Sequence, residues 1–153
     1  MRAAVQAALA GDAAIAAVVG ARVYVRDSNE GAVSKLWTPE AFDAEGDVLP
    51  TLAVTIETAR RDDAAGGDRH KINALVTIAV WAYQQRGYDQ IKLALRSAKR
   101  LLHRRPLTPV ADPWRWLDTY WSDDSAELID PELGASLMVS RYDAVVVDTL
   151  EGA

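Results

Sequence analysis

Few residues in this chain are of types that do covalent or metal chemistry. There is no cysteine, which excludes thiol nucleophiles, disulfides and thiolate metal sites. The two histidines, His70 and His103, stand apart in the sequence, too few for an imidazole-rich metal site. His70 precedes a predicted strand and reads as exposed. His103 ends a predicted helix, where an imidazole complements the C-terminal dipole. Adjacent carboxylates occur at Asp62-Asp63 and Asp123-Asp124, the pairing that general acid and base work needs. Both pairs fall in predicted loops with no histidine beside them, where charge runs are ordinarily solvated. Asp43, Glu45 and Asp47 alternate around Gly46, but an EF-hand loop needs more ligands and a closing Glu at fixed spacing. Neither a phosphate loop nor a GxGxxG, GxSxG or HExxH motif occurs. The sequence assigns no catalytic residue, no cofactor and no metal.

Charge and tryptophan are more informative. Residues 86–105 carry Arg86, Lys92, Arg96, Lys99, Arg100, Arg104 and Arg105 against Asp89 alone. Residues 112–132 reverse this, with Asp112, Asp118, Asp123, Asp124, Glu127, Asp130 and Glu132 against Arg115. The two segments can pair within one molecule or head-to-tail between copies. Trp114, Trp116 and Trp121 lie close together, with Trp114 and Trp116 expected on one strand face and Trp121 on the other. Tryptophan is enriched at interface hot spots. The candidate subunit or partner interface is therefore Leu75, Trp81, Lys92, Arg96, Lys99, Arg100, Trp114, Trp116, Trp121, Asp123 and Asp124. The net charge of −5 argues against general affinity for nucleic acid.

The elements that must position these residues follow from periodicity. A chain of 153 residues fits one domain, expected over residues 1–150. No apolar run approaches the ~20 residues that span a bilayer, and Gly11-Asp12 splits the alanine-rich start, so neither a membrane span nor a signal peptide is expected. Ala3–Ala10 and Ala13–Val19 read as short helices, the second capped by Asp12 and ended by Gly20. Val23–Val25 is a short strand. Residues 26–47 form a long loop, partly ordered by Trp37 and Phe42. Leu49–Thr58 and Lys71–Tyr83 alternate as strands of an antiparallel hairpin. The second strand is apolar on both faces, so something beyond the domain core is expected to cover Leu75, Ala79 and Trp81: a neighbouring chain or a helix of the same chain. Tyr88–His103 is the clearest amphipathic helix. Trp114–Trp121 alternates as a strand, residues 122–136 read as an acidic loop, and Leu137–Val147 closes the domain. The fold class is α+β: a mainly antiparallel sheet with a long hairpin, one long amphipathic helix and short N-terminal helices packed on one face.

Three stretches then carry a family resemblance: AVQAALAGDAAIAAVVGARVY (Ala4–Tyr24), LPTLAVTIE (Leu49–Glu57) and LVTIAVWAYQQRGYDQIKLALRSAKRLL (Leu75–Leu102). A short helix, a Gly-Asp segment closed by Gly-x-Arg-Val, a Leu-Pro opening a strand and a Val-Trp ahead of an amphipathic helix resemble the tail-completion, or tail-terminator, proteins of long-tailed bacteriophages. The matching pieces lie in the first two thirds of the chain. Loop 26–47 is longer than the family's connection, and segment 106–136 is variable; both are expected to set partner specificity.

The resemblance implies a virion structural protein rather than an enzyme. Such a protein forms a homo-oligomeric ring, typically a hexamer, on the end of the tail tube, stops tube polymerisation and joins the head connector (stopper) protein. DNA passes through without specific binding. The implied location is the tail or neck of a virion, and the host cytoplasm before assembly. The sign of the net charge then places acidic side chains in the lumen, with Asp62, Asp63, Asp123, Asp124, Glu127 and Asp130 as candidates, and turns the basic helix away from the axis. The alternatives are another neck or tail ring component (a connector stopper or tube protein) and a small carboxylate-dependent enzyme.

Overall fold

Alanine is the best helix former, and the alanine-rich start of the chain folds as two short helices. In the computed structural model, which describes residues 1–26, 33–61, 71–107 and 114–149, α1 spans Arg2–Ala10 and α2 spans Ala13–Val19. Their axes bend by 87° between them. Asp12 drives that break: its carboxylate accepts from the amides of Ala14 and Ile15 at 3.0 and 3.1 Å, satisfying donors that the new helix would otherwise leave open. Gly20 ends α2 with φ +59°, a conformation costly for any other residue.

The chain continues through β1 (Val23–Val25), a 3-10 turn at Pro39–Ala41, β2 (Thr51–Arg61), β3 (Lys71–Gln84), α3 (Asp89–Leu102), β4 (Trp114–Asp124), β5 (Leu128–Asp130) and β6 (Ala135–Thr149). The six strands make one mixed sheet ordered β1-β2-β3-β6-β4, with β5 also paired to β6. Only the β1–β2 pair is parallel; the others are antiparallel.

Two apolar clusters lie on opposite faces of this sheet. On one face α1, α2 and α3 bury Val5, Leu9, Ile15, Val19, Ile91 and Leu102 against Leu52, Val54, Ile78, Val80, Tyr142 and Val146. All three helices share this face, as the α+β reading requires. On the other face Val33, Ala41 and Val48 pack on Ala53, Ala79, Tyr83, Leu137 and Val139. At the Ala79–Tyr83 end of the hairpin's second face the cover is therefore the loop 33–48 of the same chain rather than a helix. Ala79 is buried, and Leu75 and Trp81 are half-buried.

That loop orders itself by local hydrogen bonds. Thr38, fully buried, accepts from the Ser34 amide at 3.0 Å and donates to the Ser34 carbonyl at 2.9 Å. Phe42 bridges to Val48, and the Asp43 carboxylate accepts from the amides of Glu45 and Asp47. Trp37, expected to help order the loop, is 56% exposed.

Two further expectations are corrected in the second half of the chain. Residues 122–136 are not a loop: β4 runs on to Asp124, and β5 forms a hairpin with β6 across a turn at Pro131–Gly134. The Asp130 carboxylate builds that turn by accepting from the Glu132 and Leu133 amides. Second, β4 does not alternate evenly. A bulge between Trp116 and Asp118 shifts the register, so that Trp116 and Trp121 lie opposite Val146 and Tyr142 on the same, helix-covered face.

Candidate interaction surface

The basic helix α3 is set by Gln84 at the end of β3. This buried amide accepts from the Ile91 amide at 2.9 Å and donates to the Asp89 carboxylate at 3.0 Å. That donation is the main reason the Asp89 carboxyl lies below its usual range. The apolar stripe of α3 faces the core, so its cations point outward and sideways, toward β4 and β5.

There the two oppositely charged segments meet within one molecule. Lys92 pairs with Glu127, Lys99 with Asp124 at 2.9 Å, Arg104 with Asp118 at 3.8 Å, and Arg100 with Asp12 at 3.1 Å. Arg96 makes no ion pair among the described residues. Asp124 is the hub of this seam. Its carboxylate accepts from Ser140 Oγ, from Lys99 Nζ and, at 3.0 Å, from the Trp121 indole. Burial pushes this carboxyl up, but the three hydrogen bonds outweigh it and hold it below the usual range. Lys99 Nζ also sits 3.9 Å from the centroid of the Trp121 ring, an arrangement that attracts a cation to the π face. The Asp118 carboxyl is likewise lowered, chiefly by the Thr119 amide.

The seam ends at the exit of α3. His103 Nδ1 accepts from the Trp121 amide at 3.0 Å, and the Arg104 amide donates to the Thr119 carbonyl at 2.6 Å. Arg104 adopts φ +61° to do so, a left-handed backbone that a side chain disfavours. His103, expected as a dipole partner, serves here as a strand-edge acceptor through Nδ1.

The remaining candidates are scattered. Trp116 is buried in the helix-face cluster, its indole donating to Thr119 Oγ1 at 2.7 Å. Trp81 donates to Thr55 Oγ1 at 2.8 Å on the loop-covered face. Asp123 is exposed and opposes Arg141 across β4 and β6. Asp62, Asp63 and the side chain of Trp114 lie outside the described residues, as does His70. The sequence reading missed the exposed apolar side chains Leu36 and Trp37 on the loop, Leu93 on α3, Leu117 on β4 and Ile129 on β5. Only Leu36-Trp37, an apolar pair inside an otherwise polar segment, carries a signal that could have found them. Among the described residues no group of three or more His, Cys, Asp or Glu is placed to hold a metal ion, and no single helix is long and apolar enough to cross a membrane.

These features define an α+β protein with its helices on one face of an open mixed sheet and a charged seam joining α3 to the sheet edge. No protein-family model and no curated protein matches the chain. Among solved structures it is similar to a chain described as "Virion of native gene transfer agent (GTA) particle", with a TM-score of 0.64 and 19% identity over 96% of this chain and 94% of that one. At that identity the likeness is one of fold.

Proposed function

We propose that this chain is a structural component of a phage-like particle. Within it the chain caps the end of the tail tube as a ring, typically of six copies, stops tube polymerisation and forms the joint to the head connector. One observation carries the reading: a virion chain shares this fold over nearly the whole length of both. The tail-terminator-like stretches support the finer role. They fall on α1–β1, β2 and β3–α3, which together build most of the helix-covered face.

The seam also weighs against the carboxylate-enzyme alternative. Asp124 accepts from Ser140, Lys99 and Trp121 and is held below its usual pKa, which disfavours it as a proton donor. In a ring, a net charge of −5 per copy disfavours retention of DNA phosphates. The lumen candidates Asp124 and Glu127 bring Lys99 and Lys92 with them, so a wall built from that side of the molecule is charge-balanced rather than acidic.

The test is imaging of particles from a producing cell with and without this chain. Negative-stain images are expected to show tails of uncontrolled length that fail to join heads when the chain is missing. Absence of any tube would instead assign it as the tube protein. Tails of normal length attached to heads would overturn the structural role at this joint.

A further inference from the structure

The sheet separates two exposed patches of opposite charge. On the loop-covered face, segment 34–47 carries Glu40, Asp43, Glu45 and Asp47 against Lys35 alone. Asp43 is used up by its own turn, and Lys35 folds back over the Phe42 ring at 5.8 Å from the centroid. Glu40, Glu45 and Asp47 remain exposed, with no ion pair among the described residues. Beside them Leu36 and Trp37 are 76% and 56% exposed. On the helix-covered face, Leu93 is 57% exposed. Arg96 and Arg100 follow it at three and seven residues, which places all three on one outward stripe of α3. Arg96 is exposed, and the Arg100 side chain stays 65% exposed despite its contact with Asp12.

We infer that these patches are the two halves of one head-to-tail contact between copies of this chain. Leu36, Trp37 and the loop carboxylates of one copy dock on Leu93, Arg96 and Arg100 of the next. The acidic segment first expected to serve this purpose is partly engaged in cis, Asp124 and Glu127 binding Lys99 and Lys92, while Asp123 and Glu132 stay exposed. The loop carboxylates are an exposed acidic patch with large exposed apolar side chains, Leu36 and Trp37, in the same segment. Because the patches lie on opposite faces of one sheet, they cannot meet within a molecule. Nor can a two-fold dimer satisfy both at once. Each copy offers its loop to one neighbour and its helix to another, a heterologous contact that closes into a ring or runs on as a filament. The charges steer approach and fix register, while the apolar anchors supply contact area. The contact deepens the ring assembly proposed above and rests on that reading for its closure.

The absence of cysteine makes the test direct. Trp37→Cys and Leu93→Cys copies are purified separately, mixed, and treated with a short bis-maleimide. The mixed Trp37→Cys/Leu93→Cys product is expected to form roughly tenfold or more faster than either like-with-like product, and to slow as salt rises. Adding Glu40→Lys and Glu45→Lys to the loop copy should abolish that preference, and adding Arg96→Glu to the helix copy should restore part of it. Circular dichroism of each variant confirms folding before mixing. Equal rates for mixed and like products, or a mixed rate indifferent to salt and to charge reversal, would overturn the contact. The readout uses purified protein. Failure here with the expected tail defect removes the contact alone, and a cross-link with tails of normal length attached to heads removes the particle role alone.

Discussion

The two faces of the sheet bury apolar surface in different ways. The helix face is covered by three periodic elements whose stripes meet a continuous field of Leu, Val and Ile from the strands. Among the described residues the loop face is covered at one end, by Val33, Ala41, Val48 and the partly buried Phe42 of an aperiodic segment. Its remaining surface is held by polar bonds between strands. Glu57 reaches across β3 to Arg141 at 2.9 Å, over the small side chain of Ala79, and Thr77 donates to Asp143 at 3.1 Å. Arg141 is raised from its usual pKa mainly by that Glu57 hydrogen bond. Among the described residues the buried apolar side chains therefore concentrate on the helix-covered face.

The sharpest way to break this comparison is a paired truncation. Ile78→Ala on the helix face should cost about 2–5 kcal/mol, whereas Val48→Ala under the loop should cost about 1.5 kcal/mol, both read from urea unfolding. Equal losses would mean that the loop is as much a part of the core as the helices. Next in size is Asp12→Ala, which removes the α2 cap and the partner of Arg100, for about 1 kcal/mol in the same assay.

A smaller effect separates the charged seam from both faces. Asp124 titrates below its usual value, so its contribution is present above pH about 4 and is lost as pH falls through the lowered value. Asp124→Asn should therefore lower stability by about 1 kcal/mol or less at neutral pH. It should also flatten the acid limb of a urea-midpoint profile between pH 2 and 6. An unchanged acid limb would place the acid sensitivity elsewhere. The smallest expected loss is that of Glu57→Ala, below about 1 kcal/mol, because the Glu57–Arg141 pair is about a third exposed. A larger loss would show that the polar half of the loop face also carries stability.

The helix face was legible in the sequence because its signals are local. Asp12, Gly20 and the Ile91–Leu102 stripe mark helices whose ends fall within about a residue of those observed. The loop face was not. Val33, Ala41 and Val48 follow no period, and their burial depends on strands far away in the chain. The bulge after Trp116 escaped because an inserted residue looks like ordinary alternation until its partner strand is known. β5 escaped because Leu128 and Ile129 stay exposed even when paired, and a three-residue strand among carboxylates reads as a loop. Of the candidate site residues, those of the oppositely charged segments meet one another across α3 and the sheet edge. What sequence could not decide was that Lys92 and Lys99 find their partners in cis.

The exit of α3 bears on how the chain behaves before it meets any partner. A strand at the border of a sheet presents unpaired amides and carbonyls that invite a stray chain to add on. Along β4 two of those groups are already taken, the Thr119 carbonyl by the Arg104 amide and the Trp121 amide by His103. The left-handed turn at Arg104 makes this possible, and Asp118 holds its guanidinium over the same border. A fresh copy of the chain is thus blunted against strand-by-strand aggregation along this border. Loosening the turn would expose a sticky edge well before it unfolded the core.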